Sequence, residues 1–256
     1  MNVGFIEIFE RFQGFLWPFM RISALLVTAP LYSSQAVGLR VRIVFALVLT
    51  LMVYPMLTWP QIDPSTSAGF EAAVGEVLLG VTMGLVLQLV TAAVTIGGQS
   101  MSASIGLSMA NMIDPNLGNV PVVSQFLVIL SVLVFLAFGG HAVLVALLIE
   151  SFRLMPVGQS LLGTTDIESV LRWSSMMFVG GLLIALPVMA VLLLMQIGLG
   201  VVTRAAPSLN IFAVGFPALL LAGFLVMMTS MSSTVYRIEW LWIEAFARLR
   251  ELIGAA

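Results

Sequence analysis

The sequence predicts an all-α membrane protein with about six hydrophobic, kinked helical segments. Of its 256 residues, 61% are apolar and only 9% are charged, whereas a soluble domain is about half apolar and a quarter charged. Long stretches, such as 77–113 and 115–149, contain no Asp, Glu, Lys or Arg. A soluble fold of this size could not bury that much apolar surface. The excess is therefore expected to face lipid or other subunits.

The first two hydrophobic segments, 12–32 and 43–62, are predicted to be helical because each approaches the roughly 20 apolar residues that cross a bilayer. Pro18 and Arg21 interrupt the first segment. We expect a kink at the proline, and a polar partner rather than lipid beside the arginine. The second segment is free of charge and ends at a proline-rich turn, after which 65–69 reads as an exposed loop.

The long uncharged stretch that follows is predicted to form a helix over 71–96 and an irregular loop over about 97–120. Gly97, Gly98 and the polar residues after them are expected to end the helix. The next helix is expected to begin near Pro121, since proline suits the first turn of a helix.

The second half of the chain is predicted to contain a bent helix, an exposed loop and three more helices. Internal prolines are expected to kink two of these helices, and alternating charged and apolar residues make the tail an amphipathic helix. The segments are 121–149 with a break at Gly139-Gly140, the loop 155–166, 173–203 with Pro187, 209–236 with Pro217, and the tail at about 237–253. No internal boundary divides them, so a single polytopic domain over 1–256 is expected.

Composition also argues against several functions. The net charge is −2, all ten basic residues are arginines, and they form no cluster, so nucleic acid is not an expected partner. The chain has no cysteine, which excludes disulfides, Cys-based zinc sites and iron–sulfur clusters. Ser108 and His141 could belong to an intramembrane protease, but a complete catalytic constellation is missing and a structural histidine is favoured. We expect no catalytic residue, metal or cofactor.

The glycine-, serine- and methionine-rich part of the central loop is the first candidate site. Irregular backbone in an apolar protein is tolerated where it is buried or lines a cavity, and methionine is deformable enough to seal and reopen a passage. A pore-blocking loop and an ordinary connecting loop both fit this composition. The residues of the candidate seal are Gly106, Leu107, Ser108, Met109, Ala110, Asn111, Met112, Ile113, Asp114 and Pro115.

Charged residues within or at the ends of apolar segments form the second candidate site. Such groups often mark ion or proton pathways, and they also pair at contacts between helices or subunits. Contacts are favoured here because most of these charges lie at segment ends, where arginine can reach the interface. The set is Arg21, Glu76, Glu150, Arg153 and Arg204. Gly80 and Gly84 form a G-x-x-x-G pattern that predicts close helix packing.

Several short motifs follow one another along nearly the whole chain. In order, they are Arg21-Ile22-Ser23-Ala24, Ala29-Pro30-Leu31-Tyr32, Val37-Gly38-Leu39-Arg40-Val41-Arg42, Gly75-Glu76-Val77-Leu78-Leu79-Gly80, Gly97-Gly98, Gly106-Leu107-Ser108-Met109-Ala110, Asp114-Pro115, Gly139-Gly140-His141, Glu150-Ser151-Phe152, Ala185-Leu186-Pro187, and the run from Gly198 through Arg204, Pro207 and Asn210 to Phe212. Their order and spacing resemble the FliR family of flagellar export proteins and its virulence-secretion relatives. The last run is the most specific.

The resemblance implies a pore subunit of a type III protein export gate in the bacterial inner membrane, within the flagellar basal body. In that family, one such chain joins a ring of five FliP subunits through helical hairpins, with several FliQ subunits outside and FlhB attached. Other export-apparatus and basal-body ring proteins and membrane lipid surround the gate, which passes unfolded flagellar subunits. The implied subunit or helix contacts are Arg21, Arg40, Arg42, Glu76, Glu150, Arg204, Pro207 and Asn210. The alternatives are a small-solute secondary transporter, a channel subunit, or a structural scaffold of a membrane ring.

Overall fold

The computed structural model describes residues 2–30, 37–106, 122–159, 163–206 and 211–255, with side chains from residue 13 onward except 211–214. Helices account for nearly all of these residues, and no strand occurs among them, as the sequence predicts. The helices are α1 (Asn2–Thr28), α2 (Leu39–Val53), α3 (Ser67–Ile105), α4 (Val122–Ala137), α5 (Gly140–Leu154), α6 (Thr164–Ser174), α7 (Met176–Ala205), α8 (Ile211–Thr229) and α9 (Met231–Leu252), with a 3-10 turn at Tyr54–Met56.

Three helical stretches are long and apolar enough to cross a membrane: Leu39–Met56, Ser67–Ile105 and Thr164–Ala205. Two bent helix pairs, α4 with α5 and α8 with α9, raise the number to five if each pair forms one span. Among the described residues, α1 does not belong to this set, although the sequence predicts a hydrophobic segment there. The break at Gly139 occurs where it is predicted, in a left-handed conformation with φ 75°.

The predicted end of the third helix near residue 96 is wrong. Helix α3 continues without interruption through Gly97 and Gly98 to Ile105, so residues 97–105 are not part of an irregular loop. The two glycines serve packing instead. A Cβ atom at Gly97 would lie 3.0 Å from the carbonyl oxygen of Gly181, and one at Gly98 would lie 2.8 Å from Ser124 Oγ. Glycine allows neighbouring backbones to approach closely, and the surrounding helices stabilise a stretch whose local preference is weak.

The boundary between the last two helices also differs from its prediction. The sequence predicts one apolar helix to residue 236 and an amphipathic tail from 237, whereas α9 begins at Met231 after a bend of 60°. The amphipathic character of the tail is confirmed. Its buried side recurs with helical spacing at Ile238, Leu241, Trp242, Ala245, Phe246, Leu249 and Leu252.

The chain divides into two compact units, each assembled from separate stretches of sequence. The first unit contains residues 1–89, 139–174 and 244–256. Its helices α1 and α3 pack so closely that there is no room for a side chain at two glycines of α3. A Cβ atom at Gly84 would lie 2.7 Å from Thr28 Cβ, and one at Gly80 would lie 2.8 Å from Ala24 Cβ. The close packing predicted from the G-x-x-x-G pattern is therefore confirmed. The Trp173 indole donates a hydrogen bond to the Val86 carbonyl oxygen at 3.1 Å.

The second unit contains residues 90–138 and 175–243. Polar bonds between buried helices supplement its apolar packing. Ser124 Oγ donates to the Thr95 carbonyl oxygen at 2.9 Å, and the Trp242 indole donates to Ser131 Oγ at 3.0 Å. The Trp242 ring also lies 4.7 Å from the Phe135 ring, measured between centroids. Each bond satisfies a polar group that would be costly to bury alone.

Candidate functional site

A fully buried ion pair joins α1 to α3 in the first unit. Arg21 Nε lies 2.7 Å from Glu76 Oε2, and Arg21 Nη2 lies 2.8 Å from Glu76 Oε1. Neither side chain is exposed. The two parallel bonds make the pair bidentate, the strongest geometry available to an arginine and a carboxylate. This contact is intramolecular, so the predicted contact role of these two residues is a contact between helices of one chain.

The end of α5 completes the surroundings of the guanidinium. Arg21 Nη1 donates to Ser151 Oγ at 3.0 Å, and Nη2 donates to the Met155 carbonyl oxygen at 2.9 Å. The Phe152 ring lies over the guanidinium carbon at 4.2 Å from its centroid, which is a cation–π distance. Four of the five N–H groups of the arginine thus have acceptors, and one face of its plane rests on an aromatic ring.

This arrangement favours a structural contact over a proton relay. Removing two charges from water is costly unless bidentate geometry and further hydrogen bonds offset the loss of hydration, and the cluster around Arg21 supplies both. The cluster therefore fixes the relative positions of α1, α3 and the last turn of α5.

The described base of the central loop is Gly106, which ends α3. Its φ of +92° is left-handed, a conformation that glycine adopts without the steric penalty of a side chain. Its N–H donates to the Ala103 carbonyl oxygen at 3.1 Å. A Cβ atom there would lie 3.5 Å from the Phe216 ring, and Ile105 beside it is fully buried. The chain therefore leaves α3 at a position that lies next to Phe216 of α8.

The remaining residues of the candidate seal lie outside the described part of the chain. They are Leu107, Ser108, Met109, Ala110, Asn111, Met112, Ile113, Asp114 and Pro115. The same holds for Pro207 and Asn210 among the predicted contacts. Their roles stay predictions.

The other predicted contact residues are distributed over the surface of the described helices. Arg40 is exposed in the first turn of α2, Glu150 is exposed on α5, and Arg204 is exposed in the last turn of α7. Arg42 is half-buried, and its Nε donates to the Val37 carbonyl oxygen at 3.1 Å. Unlike Arg21 and Glu76, the three exposed side chains are accessible to another subunit.

Ser151, Phe152 and Met155 are partners of Arg21 that the sequence alone does not predict. One signal points to them in the sequence. A buried arginine needs several hydrogen-bond acceptors, and a serine next to an aromatic residue near a helix end can supply an acceptor and a ring for the guanidinium to stack on. His141, the only histidine, is exposed in the first turn of α5. Ser108 lies outside the described residues, so the pairing that a protease would need is untested.

Comparisons with known proteins agree with the motif pattern. The model of a family described as "Bacterial export proteins, family 1" matches residues 12–244. A flagellar biosynthetic protein FliR from Pectobacterium carotovorum subsp. carotovorum is 36% identical over 240 residues, covering 93% of this chain and 92% of the relative. The FliR protein of Escherichia coli K12 is 33% identical over 241 residues, with coverages of 94% and 92%. That of Bacillus subtilis 168 is 31% identical over 257 residues, with coverages of 98% and 99%.

Proposed function

Because the chain belongs to the bacterial export proteins, family 1, we propose that it is the pore subunit of a flagellar type III protein export gate. The observation that carries this proposal is the family match, which extends over almost the whole chain together with full-length relatives of one name. These similarities support a component of flagellar protein export. Its position in the pore, its partners and its location in the inner membrane are the finer parts of the proposal.

The exposed apolar surface supports assembly with other subunits. Helix α7 exposes eleven large apolar side chains, α2 exposes eight, and the described part of α8 exposes four. On α7 these residues are Phe178, Val179, Leu182, Leu183, Leu186, Val191, Leu193, Leu194, Ile197, Val201 and Val202. Pro187 and Pro217 lie inside α7 and α8, and proline removes a backbone hydrogen bond that neighbouring helices must compensate in an apolar setting. We propose that FliP, FliQ and FlhB cover these faces.

In the proposed mechanism, the central loop closes the passage for unfolded flagellar subunits when no substrate is present. A ring of deformable apolar side chains excludes water and therefore ions, and methionine can repack as a substrate passes. Gly106 supports this role because it anchors the start of the loop against α8.

The test is the ion conductance of membranes that contain the assembled complex. Deleting residues 106–116 is expected to raise conductance, because the side chains that exclude water are gone. The combined replacement of Leu107, Met109, Met112 and Ile113 by serine keeps the loop length and is expected to leak as well. Asn119→Ser, in the same predicted loop but outside the seal residues, is the matched control and is expected to stay tight. Wild-type conductance in both altered complexes, assembled normally, would refute the seal.

A second experiment tests the partners. Purified alone, the chain is expected to be unstable, since its apolar faces and interrupted helices require neighbours. Extracted in mild detergent from cells that make the export apparatus, it is expected to carry FliP and FliQ with it. A well-behaved monomer in size exclusion, without these proteins, contradicts the proposed assembly.

A further inference from the structure

A cleft of about 290 Å³ opens in the first unit, beside the buried ion pair. Two short stretches form its walls: the segment just after the α2 span, and the end of α5 with the turn that follows. Its lining includes Thr58, Trp59, Pro60, Phe152, Arg153 and Pro156. The α2 stretch Leu39–Met56 is apolar enough to cross a bilayer, and α5 belongs to a bent pair that meets the same criterion. The cleft therefore lies where two apolar helical stretches end together.

The apolar wall of this cleft is rigid. The Trp59 ring contacts the Phe152 ring edge to face, with centroids 5.3 Å apart, and stacks on Tyr54 at 6.2 Å. The Trp59 indole N–H donates to the Tyr54 carbonyl oxygen at 2.8 Å. Phe152 in turn packs against the guanidinium of Arg21. Pre-formed concave sites of this kind bind ligands without losing free energy to reordering.

The polar side of the cleft carries one positive charge. Arg153 is exposed, and it makes no ion pair with any residue in the described parts of the chain. The Thr58 hydroxyl lines the same cleft and is also exposed. A cleft lined by an arginine and a threonine suits a phosphate group, which accepts hydrogen bonds from a guanidinium and from a hydroxyl. The positive charge of Arg153 therefore suits an anionic ligand.

We propose that this cleft binds the head group of an anionic phospholipid. The phosphate would accept hydrogen bonds from Arg153 and Thr58, while the glycerol and upper acyl carbons would lie against Trp59 and Phe152. Tryptophan favours this depth at the membrane–water interface, and basic pockets between membrane helices bind anionic head groups. The lining of this cleft includes no residue of the predicted central loop or of the proposed seal.

The experiment uses the full chain in its assembled complex, placed in nanodiscs of phosphatidylcholine with a photoactivatable phosphatidylglycerol. Mass spectrometry of the irradiated protein is expected to find adducts in 57–60 or 152–157. Arg153→Gln is expected to reduce this labelling about fivefold, as an arginine near a membrane surface contributes about that factor. Arg153→Lys is expected to retain most of it. Arg172→Gln, which removes an exposed arginine of the same unit outside the cleft, is the matched control and should label as the wild type does.

Several outcomes would overturn the proposal. Equal labelling by a photoactivatable phosphatidylcholine would show that the charge of the head group does not matter. Loss of labelling on adding millimolar inorganic phosphate would assign the site to free phosphate. Crosslinks from a photoreactive residue at position 58 to another polypeptide, without lipid adducts, would assign it to a protein. If Arg153→Gln does not assemble, Thr58→Val decides, since it keeps the charge and removes one donor; wild-type labelling of that variant also overturns the site.

Discussion

The carboxylate of Glu76 faces the guanidinium of Arg21 through two bonds of 2.7 and 2.8 Å, although 55 residues separate them in the chain. Ser151 and Met155 provide the further acceptors. The pair links three helices in a place that water does not reach. The loss of stability should therefore be much larger when one partner of the pair is removed than when both are removed.

Removing Arg21 alone should be costly. Arg21→Met leaves Glu76 buried without a counter-charge, and breaking a buried pair in this way costs about 3–5 kcal/mol. The double variant Arg21→Met/Glu76→Met should recover most of that loss, since no charge remains to be buried. The measurement is the thermal unfolding midpoint of the assembled complex extracted in mild detergent. The matched control is Arg172→Gln, whose pair with Glu168 is exposed and should contribute less than about 1 kcal/mol. Equal decreases of the unfolding midpoint in Arg21→Met and Arg172→Gln would contradict the prediction.

The contact of α1 with α3 should tolerate no side chain at Gly84. In Gly84→Val, the new atoms would overlap with Thr28, so the helices must separate, and overpacking of this kind costs about 1–3 kcal/mol or more. Gly198→Ala is the control, since among the described residues no atom beyond the adjacent backbone of its own helix lies within 4 Å of its Cβ position. Alanine should stabilise α7 there by up to about 1 kcal/mol. Cellular level and recovery of the detergent-extracted protein report both effects. Normal recovery of Gly84→Val would rule out the close approach.

The continuation of α3 beyond Gly98 can be tested by cysteine accessibility, because the chain has no native cysteine. Helical geometry places Gln99 and Ala103 on the exposed side and Met101 and Ile105 on the buried side. Single cysteines at the first two positions should react with a water-soluble maleimide in detergent, and those at the last two should not. A loop would give no such alternation, so uniform reactivity across these four positions would be decisive against the helix.

Low pH should loosen the turn before α3. The Ser65 hydroxyl and then its N–H lower the pKa of Asp63 below its ordinary value of 3.8 by donating hydrogen bonds to the carboxylate. The stabilisation is therefore fully present above 3.8 and is lost as the pH falls through the lower pKa of the folded state. The protection factor of the Ser65 amide, which is the exchange rate of an unstructured peptide at the same pH divided by that of the amide, should fall over that window. In Asp63→Ala this protection should be low at every pH, whereas Glu71→Gln, a nearby exposed carboxylate, should leave the wild-type profile unchanged.

The sequence predicts the helical class and most helix locations because apolar length and proline positions are local properties. It also predicts close packing at Gly80 and Gly84. It does not predict the course of the chain at Gly97 and Gly98, since glycines that end a helix and glycines that admit a neighbour look alike until the neighbour is known. The neighbours here are Gly181 and Ser124, which lie far along the chain.

The buried cluster shows the same limit at the candidate site. Composition identifies Arg21 and Glu76 as charges that need partners, but nothing local indicates that they satisfy each other. The acceptor Met155 is a backbone carbonyl, and its availability depends on where α5 ends, which side-chain patterns place only to within a few residues. The pairing of residues far apart in the chain and the backbone acceptors are thus the features of the site that cannot be predicted from the sequence.

The length of α3 sets a condition on its surroundings. Its 39 residues span about 58 Å at the rise of an α-helix, nearly twice the roughly 30 Å of hydrocarbon in a bilayer. A tilt of about 20° is common for such helices, and it shortens the length of α3 along the membrane normal by only a few ångströms. From Val77 onward the helix has no charged residue with which to enter water. The helix must therefore extend beyond the hydrocarbon layer. Its uncharged end, which carries Gln99, Ser100, Ser102 and Ser104, then needs water or polar groups of other protein segments around it.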